Sequence, residues 1–259
     1  MSLAGVIRQA DYYAVGVRQT WKGAIFSSVL QPVGYLAAMG VGLGTYIDNG
    51  GHRAALGGLT YLQFLAPALV AVAATQFAVM ECTFPVMGRL VWNKVFHSMV
   101  HTPLTAREVV LGQLSYVAVR TAVSCAVFLA VIACFGAIAS PWAALIVPGA
   151  VLLSLAFSAP LLCYTAWLRT DSGLSVLFRF GFVPAMLFSG SFFPITSLPA
   201  GIRWLAYVVP LWHGVDLSRS FASGHVHWLA VLGHVAYLLA WLFVGFWFAA
   251  RVFTKRLSA

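Results

Sequence analysis

Residues that could perform chemistry are few in this sequence and lie far apart. The 259-residue chain has 6 acidic residues, 7 histidines and 4 cysteines. His97 and His101 are four residues apart, which suits two metal ligands on one helix face, but no third ligand accompanies them in the sequence. The cysteines show no C-x-x-C spacing, so packing is the better interpretation of them. We therefore predict no metal site.

The sequence also lacks the signatures of several common activities. It has no G-x-x-x-x-G-K-[ST] motif, so it does not hold nucleotide phosphates through a P-loop. It has no nucleophile elbow of the kind that serves a Ser–His–Asp set. No pair of carboxylates lies in the middle of an apolar stretch, where carriers coupled to protons or sodium need them. We predict that the chain is not an enzyme, and keep a secondary carrier and a membrane-embedded lipid-modifying enzyme as alternatives from other classes.

The elements that must position the polar residues are long apolar helices. Hydrophobic residues make up 61% of the chain and charged residues 8%, whereas a soluble domain has about 25% charged residues. As a helix, an apolar stretch of about 20 residues crosses a hydrocarbon layer of about 30 Å. We predict an all-α integral membrane protein with six transmembrane helices, at about 23–43, 59–80, 109–135, 142–168, 174–193 and 229–250.

The first 22 residues differ from these spans because charged residues interrupt them. Apolar residues recur there at steps of three and four, which places them on one helical face, and the charged residues fall mostly on the other. Such a helix lies flat in the headgroup layer. The segment 1–22 is therefore predicted to be an interfacial amphipathic helix, with a surface helix lacking any membrane role as the alternative.

The distribution of positive charge predicts the orientation of the bundle. With six spans, both termini lie on one side, and most Lys and Arg residues fall on that side; the opposite loops hold only Arg53, Arg203 and Arg219. Cytoplasmic loops collect positive charge, so both termini are predicted to be cytoplasmic in a multi-pass protein of the bacterial plasma membrane. Because the basic residues do not alternate with stacking aromatics, we predict no nucleic-acid partner.

The segment 89–108 lies on this cytoplasmic side and has the pattern of a short amphipathic helix. Trp92, Val95, Phe96, Met99 and Val100 form an apolar stripe at helical spacing. A proline at 103 ends the helix, and Thr105 with the glutamate at 108 predicts a capping box at the start of the third span. A soluble motor could grip such a helix.

The stretch 194–228, on the opposite side, is apolar but broken by prolines. Pro194, Pro199 and Pro210 leave no piece long enough to cross a membrane. We predict short helices that dip into the outer leaflet and return, which requires that they pack against protein or line a wet cavity. An ordinary extracellular loop is the alternative.

Three residues are candidates for a substrate path. Arg120 lies near the middle of the third span, where a charge costs at least about 2.5 kcal/mol and must face protein or water. It could contact substrate or a partner subunit, pair with Glu81, or snorkel toward the cytoplasm. Phe192 and Phe193 follow the fifth span and either line an exit path or pack.

Three segments together resemble a known family. M-V-H-T-P-L-T-A-R-E-V-V-L-G at 99–112, F-S-G-S-F-F-P-I-T-S-L-P at 188–199 and P-L-W-H-G-V-D-L-S-R at 210–219 are similar to the membrane subunit of ABC-2-type exporters, such as the nodulation-factor and daunorubicin exporter permeases. The resemblance implies a single transmembrane domain over 1–259. Within it, 1–22 would be the interfacial connecting helix, 91–103 the cytoplasmic coupling helix and 194–212 the external re-entrant helices.

The resemblance also implies the partners. An ABC ATPase subunit, in two copies, would dock on the coupling helix, and a second copy of this chain or a related permease would complete the channel among membrane lipids. The chain would bind no cofactor, because ATP and Mg belong to the ATPase. The expected substrate is hydrophobic and drug-like or lipid-like, with an oligosaccharide or lipid-linked glycan as the alternative. The coupling residues would be Trp92, Val95, Phe96, Met99, Val100, Thr102 and Pro103.

Overall fold

The computed structural model describes Leu30 and residues 33–43 and 58–258, and the regular structure in these residues is entirely helical. The predicted interfacial helix at 1–22 and most of the first predicted span lie outside the described residues. The described part of that span includes a π-helical segment, Leu36–Leu43.

The helices are numbered here in chain order. They are α1 (Tyr61–Cys82), α2 (Phe84–Met87), α3 (Val95–Val100), α4 (Ala106–Cys134), α5 (Ile146–Trp167), α6 (Ser172–Val176), α7 (Val183–Phe188), α8 (Ala200–Val208), α9 (Pro210–Ser223) and α10 (Trp228–Leu257). Further π-helical segments are Gly88–Trp92 and Leu177–Phe182, and the 3₁₀ helices are Pro141–Leu145 and Ile195–Ser197.

Four helical stretches are long and apolar enough to cross a membrane. They are Tyr61–Trp92, Ala106–Cys134, Pro141–Trp167 and Trp228–Leu257, and they correspond to the second, third, fourth and sixth predicted spans. The stretch Ala106–Cys134 begins with the predicted capping box, in which the Thr105 backbone N–H donates to a carboxylate oxygen of Glu108 at 2.9 Å. The sequence therefore predicted these four elements and one of their caps.

The fifth predicted span, 174–193, is not one regular helix. The apolar stretch Ser172–Phe188 is shorter than the other four, and the π-helical segment Leu177–Phe182 divides it. Pro184, in the first turn of α7, has no backbone N–H for the helical ladder, and Gly190 at φ 76° follows its end. Six spans are consequently not established; the described residues contain four clear spans and this shorter apolar helix.

The helix α5 occupies the centre of the bundle, where it packs against α1, α4, α9 and α10. Hydroxyl groups join it to its neighbours within the apolar interior. Thr121 on α4 and Ser154 on α5 share a hydrogen bond of 3.0 Å, and the Thr165 hydroxyl donates to the backbone oxygen of Cys82 on α1 at 2.8 Å. Hydrogen bonds of this kind stabilise the packing of one membrane helix on another, because hydrocarbon offers these hydroxyl groups no other partner.

The two ends of the bundle are distinct. One end, called the α3 end, holds α3 together with the last turns of α1, α5 and α10; there Arg256 donates to the backbone oxygens of Ala166 and Leu168 at the end of α5. The other end, called the hairpin end, holds α8 and α9, which form a helical hairpin between α7 and α10. Trp142 and Trp228 meet edge to face at that end, with ring centroids 5.3 Å apart.

Close approach of α5 and α10 depends on one glycine. A Cβ atom added to Gly245 would lie 2.6 Å from Cδ and 2.7 Å from the backbone nitrogen of Pro160, and 3.0 Å from Cβ of Ala159. Pro160 is inside α5, so its ring projects where a hydrogen-bonded N–H would otherwise be. Gly245 leaves room for that ring.

We expect Gly245→Val to destabilise the protein by about 1–3 kcal/mol, because the added atoms overlap the backbone of α5. Thermal unfolding of the purified protein in detergent measures the effect. Gly233→Val on the same helix is the matched control, since nothing lies within 4 Å of a Cβ atom there. Equal melting temperatures for the two variants would contradict this account of the contact.

Candidate functional site

The connection between α1 and α4 at the α3 end is built from three short pieces. Pro85 lies in the first turn of α2, the π-helical segment Gly88–Trp92 follows, and Lys94 at φ 50° separates that segment from α3. A non-glycine residue in this left-handed region breaks a helix. The coupling helix predicted at 91–103 is therefore interrupted at Lys94, and its α-helical part is limited to the six residues of α3.

The predicted apolar stripe of this connection divides between the interior and the surface. Phe96 is fully buried, and its ring centroid lies 5.9 Å from that of Phe253 on α10. Val95, Met99 and Val100 are half-buried. The exposed side chains, called here the exposed ridge, are Trp92, Asn93, Lys94, Ser98, His101, Thr102 and Pro103.

The residue types on the exposed ridge suit a protein contact. Trp92 has 58% of its surface exposed, although it is a large apolar side chain. Tryptophan is enriched in interface cores because it offers a large contact area together with one N–H donor. Of the predicted coupling residues, Trp92, Thr102 and Pro103 are thus exposed, whereas Phe96 is fully buried in this chain's own core.

A polar network, called here the Glu81 network, adjoins the segment that connects α1 and α4 and joins these two helices. Arg120 donates to the Glu81 carboxylate and, at 2.8 Å, to the Tyr116 hydroxyl. Arg89, in the π-helical segment, donates to the side-chain oxygen of Gln113 at 2.9 Å, and Gln113 donates to the backbone oxygen of Glu81 at 3.1 Å. A charge at membrane depth is thereby paired within the protein.

The three substrate-path candidates are not brought together. Arg120 belongs to the Glu81 network, whereas Phe192 lies at the other end of α1, where its backbone oxygen faces the Tyr61 hydroxyl at 3.5 Å. Nearly the whole of the 22-residue helix α1, about 30 Å, separates Tyr61 from Glu81. Phe192 packs against the core, and Phe193 is half-buried. A role for these residues in the substrate path stays a prediction.

The proline-broken stretch at the hairpin end forms short helices, as the sequence predicts. Pro194 precedes a single 3₁₀ turn, Pro199 precedes α8, and Pro210 is the first residue of α9. Proline suits these positions because its fixed φ is helical and a first-turn N–H has no partner within the helix. The helix α9 extends to Ser223, well beyond the predicted limit at residue 212.

Arg219 joins three parts of the hairpin end and is a residue that sequence reasoning missed. Its Nε donates to the backbone oxygen of Phe64 at 3.1 Å, and its Nη2 donates to those of Gly190 and Ser191 at 2.7 and 3.0 Å. The guanidinium also lies 3.6 Å from the centroid of the Phe64 ring. In the sequence, Arg219 stands out as a charge in an outer loop and as the last residue of the segment 210–219, and neither feature assigns it this role. The signal for this role in the sequence was the position of a charged residue within a mostly apolar segment that is too broken by prolines to span a membrane.

A second polar cluster at this end consists of His213, Asp216 and His234. Nδ1 of His213 lies 2.7 Å from Nδ1 of His234, and Nε2 of His234 lies 3.1 Å from the Asp216 carboxylate. Nε2 of His213 faces the backbone oxygen of Tyr207 at 3.0 Å. His213 is on α9, outside the four spans, and burial lowers its pKa to about 4, so its imidazole is neutral at physiological pH.

Comparison with known proteins accords with this arrangement. Residues 15–223 match the family of ABC-2 type transporters. This chain belongs to the ABC-2 type transporter family. It is therefore a membrane subunit of an ABC transporter, a class of transport subunit whose ATPase is a separate chain. The connection between α1 and α4 and the hairpin end both lie within the matched region.

Curated relatives match most of the chain. Nodulation protein J of Rhizobium leguminosarum bv. trifolii is 28% identical over 243 residues, covering 92% of this chain and 89% of the relative. The same protein of Rhizobium leguminosarum bv. viciae is 28% identical over 244 residues, covering 92% and 90%. That of Rhizobium meliloti strain 1021 is 26% identical over 245 residues, covering 92% and 89%. The sequence-based prediction of an ABC-2-type permease is confirmed.

We expect Glu81→Gln or Arg120→Gln alone to destabilise the protein by about 3 kcal/mol, because each leaves one charge unpaired at membrane depth. The double variant is expected to recover much of that loss, because it leaves neither charge. Thermal unfolding in detergent measures stability, and a transport assay on the double variant separates a structural pair from a substrate contact. A double variant less stable than both single variants would contradict the pairing.

We expect Arg219→Lys to loosen the hairpin end, since an ammonium on a flexible stem cannot replace the fork that reaches three backbone oxygens. Protease susceptibility around residues 190–199, measured in detergent, is expected to rise. Arg251→Lys is the matched control, because the Arg251 guanidinium lies over the ring of Trp247 one turn away on its own helix, α10, and outside the hairpin end. Equal cleavage of the two variants would argue against the role assigned to Arg219.

Proposed function

We propose that this chain is the permease subunit of an exporter and that a separate ATPase grips it at the exposed ridge. The observation that carries the proposal is that one short segment has both an exposed surface and side chains buried against other helices. Trp92 and its neighbours face outward, while Phe96 beside them is buried against Phe253 of α10. A force applied to the ridge therefore reaches the last span directly.

The proposed orientation has the α3 end in the cytoplasm. Among the described residues, the basic side chains at this end are Arg89, Lys94, Arg107, Arg169, Arg251, Lys255 and Arg256, whereas the hairpin end has Arg203 and Arg219. This imbalance supports cytoplasmic termini in a bacterial plasma membrane. ATP is found in the cytoplasm, so the proposed docking surface and the motor lie on the same side.

The motor's movement would reach the spans by two routes. The first is the contact between the rings of Phe96 and Phe253. The second starts at Arg89, which leads from the π-helical segment through Gln113 to α4. Because packed helices shift as rigid bodies rather than bend, closure of the ATPase would shift α4 and α10 as rigid units.

The proposed substrate is hydrophobic and drug-like or lipid-like. A cavity of about 250 Å³ lies between α5, the interrupted helix 172–188 and the hairpin end, and its walls are formed by apolar residues such as Phe157, Phe182, Val209 and Trp241. Apolar walls suit an apolar substrate because burial of its surface drives binding. An oligosaccharide or lipid-linked glycan is the alternative outcome of a substrate screen.

The proposed assembly contains two ATPase subunits, which carry ATP and Mg, and two permease subunits. The second permease is another copy of this chain or a related one. Much of α10 is exposed in the single chain, including Leu229, Leu232 and Phe243, so this face is left for lipid or for a neighbouring subunit. Surface of this kind also fits membrane lipids, which surround the proposed assembly.

Co-purification with the separate ATPase, followed by reconstitution in vesicles, tests the proposal. Trp92→Ala is expected to weaken ATPase binding at least tenfold, the loss of about 1.4 kcal/mol from a contact residue, without changing the melting temperature. Phe96→Leu is expected to leave binding intact and to reduce transport per ATP hydrolysed, because it changes the buried contact with Phe253.

Ser175→Ala, an exposed position on α6 outside the exposed ridge, serves as the control for Trp92→Ala. A chain that transports without any ATPase would overturn the proposal in favour of a secondary carrier. Full ATPase binding by the Trp92→Ala variant would instead exclude the exposed ridge as the docking surface while leaving the family assignment untouched.

A further inference from the structure

An apolar groove runs between α5 and α10 on the surface of the bundle. Its volume is about 380 Å³, and its walls include Pro160, Tyr164 and Trp167 of α5 and Val244, Phe248 and Val252 of α10. These residues recur at steps of three and four, so each helix contributes one face to the groove. The hydroxyl of Tyr164 already donates to the backbone oxygen of Gly173 at 3.1 Å, which leaves the groove suited to hydrocarbon.

The groove is about as long as one leaflet of a membrane is deep. It extends along α10 from Trp241 to Val252, about 16 Å at the rise of an α-helix. This length is close to half of a hydrocarbon layer of about 30 Å. At its α3 end, Trp167 has 69% of its surface exposed, and tryptophan is enriched where hydrocarbon meets the headgroups. The groove therefore reaches from the headgroup layer to about the middle of the membrane.

Basic side chains gather at the headgroup end of the groove. On α10, Lys255 and Arg256 come three and four residues after Val252, so they continue the face that lines the groove. On the opposite wall, Arg169 follows the end of α5 by two residues. Arg169 lies close enough to Arg256 for their positive charges to repel each other. Both walls of the groove thus end in positive charge.

This basic cluster, defined as Arg169, Lys255 and Arg256, lacks an acidic partner in the part of the chain that the structure describes. No carboxylate there forms an ion pair with any of the three, and even Asp171, two residues from Arg169, does not. Arg169 and Lys255 have exposed side chains, so they are accessible to a ligand. An anion bound among these cations would relieve their mutual repulsion.

We propose that the groove and the basic cluster together bind one anionic phospholipid. An acyl chain lies in the groove, where burial of its methylene groups stabilises the complex. The headgroup phosphate accepts charge-assisted hydrogen bonds from the basic cluster. The groove is a separate space from the cavity proposed for the substrate, although Pro160 and Trp241 line both. The bound lipid is thus a partner of the subunit and joins α5 to α10 near the α3 end.

The charge of the cluster favours a lipid over a second copy of this chain in the groove. Two copies inserted in the same direction have their α3 ends at the same depth of the membrane. The basic cluster would then meet the basic end of its neighbour, and like charges brought together oppose such a contact. An anionic headgroup has the complementary charge.

Native mass spectrometry of the purified chain in detergent, without the ATPase, measures the binding. Phosphatidylglycerol, which is anionic, and phosphatidylcholine, which is zwitterionic, are titrated separately with identical acyl chains. Phosphatidylglycerol is expected to bind at least about tenfold more tightly, because each nearby cation favours an anionic headgroup by about fivefold. Glycerol 3-phosphate, which has the phosphate but no acyl chain, is expected not to displace it.

The double variant Arg169→Gln with Lys255→Gln tests the basic cluster. It is expected to lose most of the preference for phosphatidylglycerol, a fall of about tenfold or more. Lys94→Gln with Arg107→Gln is the matched control, because it removes two exposed cations from the same end but outside the groove. The control is expected to keep the preference. Thermal unfolding verifies that both double variants are folded.

The variant Val244→Trp tests the groove itself. The larger side chain occupies space that the acyl chain needs, so the affinity for both lipids is expected to fall at least about fivefold. Val123→Trp on α4 is the matched control, because Val123 is similarly exposed and lies outside the groove.

Four results would overturn the proposal. They are equal affinity for the two lipids, equal loss of the preference in the two double variants, equal lipid affinity in the two tryptophan variants, and displacement of the lipid by glycerol 3-phosphate. A dimer of this chain that Val244→Trp disrupts and that binds no lipid would assign the groove to a second subunit instead. None of these measurements requires transport or the ATPase, so failure of this inference is distinguishable from failure of the proposed function.

Discussion

Every polar group inside this bundle must find its partner within the protein, because hydrocarbon offers none. The Glu81 network meets this requirement near the α3 end, where Arg120 donates to the Glu81 carboxylate. Arg219 meets it at the hairpin end with backbone oxygens in place of a carboxylate. The hydroxyl of Thr165 does the same between α5 and α1. Polar contacts thus determine which helices are neighbours, while apolar packing fills the space between them.

This requirement also explains how the two ends differ. At the α3 end, the polar network sits directly above a surface that is open to solvent, so the network and the exposed ridge are parts of one connection between α1 and α4. At the hairpin end, short helices lie over the bundle, and side-chain hydrogen bonds that join them to α1, to α10 and to the residues after α7 hold them in place.

Much of the architecture could be predicted from the sequence, because hydropathy and caps are local properties. The four long spans and the Thr105 capping box follow from them. The prolines equally predicted short helices at the hairpin end. The helix break at Lys94 could not be predicted, because a left-handed lysine has no signature in sequence. The inward side of Phe96 depends on its meeting Phe253, more than 150 residues later, and periodicity does not reveal which partner an apolar face meets. For the same reason the role of Arg219 and the cluster of His213 with His234 emerged only from the fold.

The contact of Gly245 with Pro160 has a mechanical consequence for any conformational cycle. Two helices that approach this closely at a proline ring resist sliding past each other, so we expect α5 and α10 to move as one unit. The compliant part of the molecule must then be sought beside this unit, in the π-helical stretch Leu177–Phe182, where the regular ladder is already interrupted. We therefore expect any bending of the subunit to occur at this stretch rather than between α5 and α10.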